Sequence, residues 1–247
     1  EYEKVKATLT VVAPFISSLL SRARIVANKS VETAAVSSTG VIIINPEFWA
    51  GLDWAGKAWV IGHEVFHLAF RDHKRQGSRN PRAWNFVADA VNGELEKEML
   101  RCPAELERLT VTINKVYRAF SEHFDNCGLN YDDVAKLSKE ELYKMLPKIK
   151  EGGGTPIPIE VEGDLSRGEG DGEVISEGDP SIYKDGRESD GEDVEEQWKN
   201  NIARAYDAQK TIGTIPAGLK RVVDSLLKPR IDWRALLKQA FRIGFGK

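Results

Sequence analysis

Trp59-Val60-Ile61-Gly62-His63-Glu64-Val65-Phe66-His67-Leu68-Ala69-Phe70 is the stretch on which the reading of this chain turns. Apolar residues at 59, 60, 65, 66 and 70 cover much of a helix's circumference. They predict a long, central, buried helix, about Asp53 to Arg75, with Asp53 as its N-cap. Two imidazoles stand in that apolar setting, four residues apart. Side chains at i and i+4 share a helical face, so His63 and His67 can converge on one cation. Two neutral imidazoles on a rigid helix suit Zn²⁺, with Zn–N distances near ~2.0–2.1 Å. Glu64 follows the first histidine directly and is offset around the helix. Its carboxylate can reach a metal-bound water without becoming a ligand.

The chemistry this H-E-x-x-H pattern points to is metal-assisted hydrolysis. Zinc lowers the pKa of its water toward ~7 and polarises a carbonyl. Glu64, the candidate catalytic residue, takes the proton from the water and passes it to the leaving amine. The plain alternative is a pair of salt-bridged histidines on a core helix. Half of the chain's 4 His fall in this motif beside a Glu, which argues against it.

A catalytic zinc takes three protein ligands and keeps one open position. His73, ten residues after His63, fits the outline of the metzincin pattern H-E-x-x-H-x-x-G-x-x-H. Phe70, however, stands where that pattern has Gly. If the helix continues through it, His73 is carried well past the ion. Asp89 is the second candidate, on a helix read from about Arg82 to Arg101. There Asn85, Asp89, Asn92 and Glu96 recur at i, i+4, i+7 and i+11, a polar face beside the apolar Trp84, Ala88, Val91 and Leu95. Polar groups between apolar neighbours need a buried partner, and a metal would supply one. Asn85 and Asn92 would then orient ligands, whereas Glu96 suits an ordinary solvated face. Glu94 is a weaker substitute for Asp89.

The remaining sequence places this site in an α+β chain. Tyr2 to Asn28 reads as a helix interrupted at Pro14. Ala34 to Asn45 reads as a hairpin turning at Ser37-Ser38-Thr39-Gly40, closed by Asn45-Pro46. Val41 to Asn45 is a candidate edge for pairing with an extended peptide, or simply a core strand. Helices are expected over about Ala104 to Phe124, from a capping box at Ser138 to near Pro147, over Glu195 to Gln209, over Ile215 to Leu227 and over Ile231 to Phe241. Thr155-Pro156-Ile157-Pro158 is the only stiff part of a Gly-rich stretch. No residue stands out as an oxyanion stabiliser among Tyr117, His123, Tyr131, Tyr143 and Arg82.

Charge divides the chain into three: residues 1–150, the candidate catalytic domain; 151–196, an acidic, Gly-rich flexible loop; and 197–247, a basic helical segment that packs back on the domain. The middle part carries 16 acidic and 3 basic residues, net −13, and the last is net +8. These opposed charges suggest that the loop lies over the basic segment or covers the cleft and restrains activity, in which case deleting Gly152 to Asp193 raises the rate; a solvated, disordered loop is the plainer reading. The basic segment is accompanied only by Trp198, Tyr206 and Trp233, without a stacking pattern, so nucleic-acid binding ranks low. With 247 residues, 41% apolar, the chain has enough material for a real core. No apolar run is long enough to cross a bilayer. The first residues lack a signal-peptide pattern. Cys102 and Cys127 make neither a disulfide framework nor a cysteine zinc site, which fits a reducing, cytoplasmic setting.

The stretch from Trp59 to Arg75, followed by Asn80-Pro-Arg-Ala-Trp-Asn-Phe-Val-Ala-Asp-Ala-Val-Asn92, resembles the metallopeptidase domain found N-terminal to von Willebrand A-like domains. Trp84, Asn85, Asp89 and Asn92 match that family's second pattern. Leu137 to Leu146 and Ile231 to Leu237 also look like family features. The resemblance implies a zincin-like, mainly helical fold with a small hairpin or sheet beside the H-E-x-x-H helix. It implies a metal between the two helices, with His63, His67 and Asp89 as ligands and His73 outside. It implies a peptide or protein substrate and, for some members, work beside AAA-type ATPases. The D-x-S-x-S motif of the adjoining domains does not occur in the chain. A non-catalytic or regulatory module on the same fold is the competing function. Retention of Glu64 speaks against it, since a structural metal site does not need that carboxylate.

Overall fold

Pro14 divides the N-terminal helix. Helix α1, Tyr2–Val12, stops at Ala13, and α2, Pro14–Leu20, restarts with the proline at its first position, where a missing N–H costs nothing. The computed structural model describes residues 1–147, 165–166, 172–190, 192–213 and 215–227. The sequence reading carried this helix on to Asn28, but strand β1, Arg24–Ala27, takes its place. Ile25 and Val26 are β-branched, and β1 is hydrogen-bonded on both sides, a tertiary gain that local periodicity does not register.

The expected hairpin is present. Strands β2, Ala34–Ser37, and β3, Ile42–Ile44, pair antiparallel. Strands β4, Leu165–Ser166, and β5, Glu173–Glu177, extend the sheet to the order β4-β2-β3-β1-β5. β3 lies in the middle, buried between β2 and β1, so Val41 to Asn45 is a core strand and not an edge that could receive a peptide. Strands β6, Tyr183–Lys184, and β7, Arg187–Glu188, form a separate hairpin. Within the acidic stretch, residues 173–188 supply a sheet strand and a hairpin.

Asn45 ends β3 and caps α3, Pro46–Gly51, accepting from the Glu47 and Phe48 amides. Asp53 caps α4, Trp54–Ala69, through the Gly56 amide at 2.7 Å. α4 does not run on to Arg75. It ends at Phe70, Arg71 adopts a left-handed conformation at φ 54°, and α5, Asp72–Arg75, begins as a separate helix. Helix α6, Pro81–Lys97, starts from an Asn80 cap and packs along α4.

The expected helix from Ala104 to Phe124 is broken. Turns occupy its first part, Thr112 caps α7, Ile113–Ala119, and α8, Ser121–Asn126, follows. The β-branched run Thr110-Val111-Thr112 leads into this cap, where extended backbone suits it better than a helix interior. After α9, Tyr131–Val134, the Ser138 capping box opens α10, Lys139–Met145, as its sequence requires. The C-terminal helices are α11, Glu192–Lys210, and α12, Ala217–Leu227. The expected helix from Ile231 to Phe241 and the stretch Thr155 to Pro158 lie outside the described residues.

Two apolar clusters form the interior. The larger joins α1, α2, the sheet, α4 and α11 through residues such as Phe15, Ile42, Phe66 and Trp198. The smaller joins Phe86, Val87 and Ala90 of α6 to α7, α8 and α10. α6 lies between them, which explains why it is buried almost all round and why its polar face is turned into the protein. Among the described residues, no helix is long and apolar enough to cross a membrane.

Candidate metal centre

α4 and α6 bring His63, His67 and Asp89 together. One ligand atom from each lies within 4.8 Å of the other two. His67 Nε2 is 3.1 Å from His63 Nε2 and 3.1 Å from Asp89 Oδ1, and His63 Nε2 is 3.9 Å from that oxygen. Ligand atoms on a tetrahedral ion at ~2.0–2.1 Å stand ~3.3–3.4 Å apart, a value these separations straddle. Two imidazole nitrogens and one carboxylate oxygen suit a divalent ion of intermediate hardness and leave a fourth position open. The donor set fits a metal.

Each imidazole is oriented from behind. His67 Nδ1 lies 3.0 Å from Asp72 Oδ2, and His63 Nδ1 lies 3.3 Å from Glu96 Oε2. A carboxylate on Nδ1 keeps the proton there and leaves Nε2 as the ligand atom. Asn85 Nδ2 donates to Asp89 Oδ2 at 3.3 Å and steadies the third donor. His67, Asp72, Asp89, Asn92 and Glu96 are all buried.

The electrostatics follow from that burial. Burial works to raise the Asp72 carboxyl, but Lys139, His67 and Arg75 hold it well below the usual carboxylate range. Burial also opposes charge on His67, yet its bonds to Asp72 and Asp89 carry its pKa up to about 9.

The centre stands at one side of a cleft of about 480 Å³ onto which His63, Glu64 and Asp89 all open. Glu32, Thr33 and Ala34, at the start of β2, line it together with Phe48, Trp59 and Val60. Leu106 and Leu109 to Val111 also line it. Glu64 itself is 2% exposed.

The whole chain, residues 1–247, matches the model of a family described as "putative metallopeptidase domain". The chain belongs to this family. No curated protein and no solved structure matches it.

Seen as a metallopeptidase-family domain, the chain places its expected site residues unevenly. His73, the alternative third ligand, is directed elsewhere: its Nε2 lies 2.9 Å from Glu188 Oε2. The chain does leave the helix after α4, through Arg71 and not through a glycine, and the residue this delivers to the centre is Asp72. In a continuing helix, a residue five positions on would point about 140° away from His67. Phe70 stays in the core, stacked on Phe66. Asn92 donates to Asp72. Glu94 is not in the cluster. Glu96, read as solvated, is fully buried behind His63. Asp72 carried no sequence signal, since its role depends on the turn at Arg71. None of Tyr117, His123, Tyr131, Tyr143 and Arg82 is among the described residues lining the metallopeptidase-family domain's cleft.

Proposed function

We propose that this protein is a zinc-dependent peptidase with a zincin-like catalytic domain. In this reading His63, His67 and Asp89 hold the ion, and Glu64 is the general base. The observation that carries it is the convergence of the three donor atoms beside a cleft that also opens on Glu64. Bound there, zinc supplies a Lewis acid that polarises a carbonyl and lowers the pKa of water toward ~7.

The chain supplies the rest. The cleft receives an extended peptide between the start of β2 and residues 106–111. Glu64 takes a proton from the attacking water as the water oxygen bonds to the carbonyl carbon. It then gives that proton to the amide nitrogen as the C–N bond breaks, so that the products are a carboxylic acid and an amine. Asp72 and Glu96 hold the two imidazoles still while this happens, and Asn85 holds Asp89. An oriented base and fixed ligands spare the reaction much of its reorganisation.

Elemental analysis of the purified chain, together with mass-spectrometric detection of peptide cleavage, tests the proposal. About one zinc per chain is expected in the wild type. It should be lost in His67→Ala and Asp89→Ala. Glu64→Gln should keep the metal and lose cleavage by at least ~100-fold. Failure of the wild type to take up zinc after reconstitution, or undiminished cleavage by Glu64→Gln, would overturn it.

A further inference from the structure

The capping box at the start of α10 accounts for Ser138 and Glu141 but not for the residue between Ser138 and Glu140. Lys139 is 4% exposed. It occupies the first position of α10, the end of a helix that disfavours a cation. Its ammonium donates to Asp72 Oδ1 at 2.8 Å, to Asp72 Oδ2 at 2.6 Å and to Asn92 Oδ1 at 2.8 Å. It also sits 4.9 Å from the centroid of the Phe70 ring.

Stability is a poor reason for a lysine there. A buried ion pair seldom outperforms well-packed apolar side chains of the same volume. Burial has pulled this ammonium down to about 8, a measure of how unwelcome its charge is. What the lysine does is complete a path to the metal centre. Asp72 Oδ2 faces three donors: His67 Nδ1 at 3.0 Å, Lys139 Nζ, and Asn92 Nδ2 at 3.2 Å. The Asp72 carbonyl is held as well, by Trp84 Nε1 at 2.9 Å. Asp72 begins a helix of four residues, α5, which by itself cannot fix a carboxylate's rotation.

We propose that Lys139 is a positioning residue of the metal centre. By clamping both oxygens of Asp72 it keeps Oδ2 on His67 Nδ1, and so keeps His67 Nε2 aimed at the ion. Asn92 closes the clamp by bonding to both partners. The proposal rests on the metal centre of the preceding reading, but not on its reaction. α10 thereby becomes part of the site, although it contributes nothing to the cleft.

The test uses the full chain, stripped of metal by a chelator and titrated with Co²⁺ alone. Affinity is read by competition with a chromophoric chelator, and ligand geometry by the visible absorption of the bound cobalt. Lys139→Met and Asp72→Asn should each weaken binding ~10–100-fold and shift the cobalt bands. The double variant should bind within about twofold of Asp72→Asn, because the lysine acts through the aspartate. Wild-type affinity and an unchanged spectrum in Lys139→Met would overturn the role, as would losses that multiply in the double variant. If Lys139→Met does not fold, Lys139→Ala, which likewise removes the donor, is judged by the same readings. A wild type that binds no Co²⁺ overturns the centre itself and this role with it. Intact binding without peptide cleavage would overturn the reaction alone.

Discussion

His67 is the residue on which metal, proton and fold stability meet. Its side chain is fully buried between two carboxylates, and its pKa rises from 6.5 to about 9. A group that binds its proton more tightly when folded contributes stability that is complete below its unfolded pKa. That contribution is lost as pH rises through the folded value. Chelator-treated protein should therefore lose stability as pH rises from about 6.5 toward 9, by up to ~1.4 kcal/mol per pH unit. Lys139 acts with the opposite sign, but only above about 8, where its lowered folded pKa lies. Between pH 6.5 and 8 the His67 contribution therefore runs unopposed by Lys139. Zinc-loaded protein should show no such slope, because the metal has replaced the proton. Denaturant midpoints at several pH values, with and without zinc, check this; a flat profile for the stripped protein would contradict it. Of the residues in this centre, His63 and His67 were legible from their four-residue spacing, and Glu64 from its place between them. Asp89 stood out on the polar face of its helix but shared candidacy with His73, and the fold brings Asp89 to the pair. Asp72 and Lys139 were not legible: one depends on a left-handed Arg71, and the other is 67 residues away from its partner in sequence.

At the scale of elements, the site depends on how closely α4 and α6 approach. A Cβ on Gly62 would come within 2.9 Å of Glu96 Oε1. The glycine therefore leaves room for the carboxylate that orients His63. A Cβ on Gly93 would meet the Val111 carbonyl oxygen at 2.4 Å, so the wall of the cleft also rests on a glycine in α6. Gly62→Ala separates helix propensity from site geometry. Alanine inside a helix is favoured by up to ~1 kcal/mol over glycine. The displaced Glu96 should nonetheless cost about tenfold in metal affinity. Thermal stability of the stripped protein and metal affinity should thus fail to move together. Equal affinity in Gly62→Ala would show that Glu96 does not govern His63. The starts of α4 and α10 were readable because their caps are local: Asp53 and Ser138 each bond an amide within three residues. β1 was misread as helix because half of its pairing comes from β5, about 150 residues later in the chain.

For the whole molecule, the described part of the acidic segment is tied into the fold, a role its charge alone did not suggest. Net charge of −13 over residues 151–196 reads as a removable cover, yet its described part is built into the domain. Glu188 shows how. Its buried carboxylate accepts from Trp198 Nε1 at 2.8 Å, meets His73 Nε2 at 2.9 Å and lies 3.5 Å from Arg71 Nη2. One side chain so ties α11 to the turn that delivers Asp72 to the metal centre. Burial tends to raise the Glu188 carboxyl, but His73 and Arg71 hold it low, so it stays an anion. Removing one member of a buried charged cluster leaves the others unpaired, at a cost of ~3–5 kcal/mol. Deleting residues 172–190 removes this cluster and the β5 edge together, so the variant should lose cooperative unfolding and metal binding. Thermal denaturation and metal content decide between the two roles. A well-folded, metal-loaded deletion variant with a raised rate of peptide cleavage would restore the segment as a cover. Loss of the folded state would make residues 172–190 a structural part of the domain, with the Glu188 carboxylate serving the turn beneath His67.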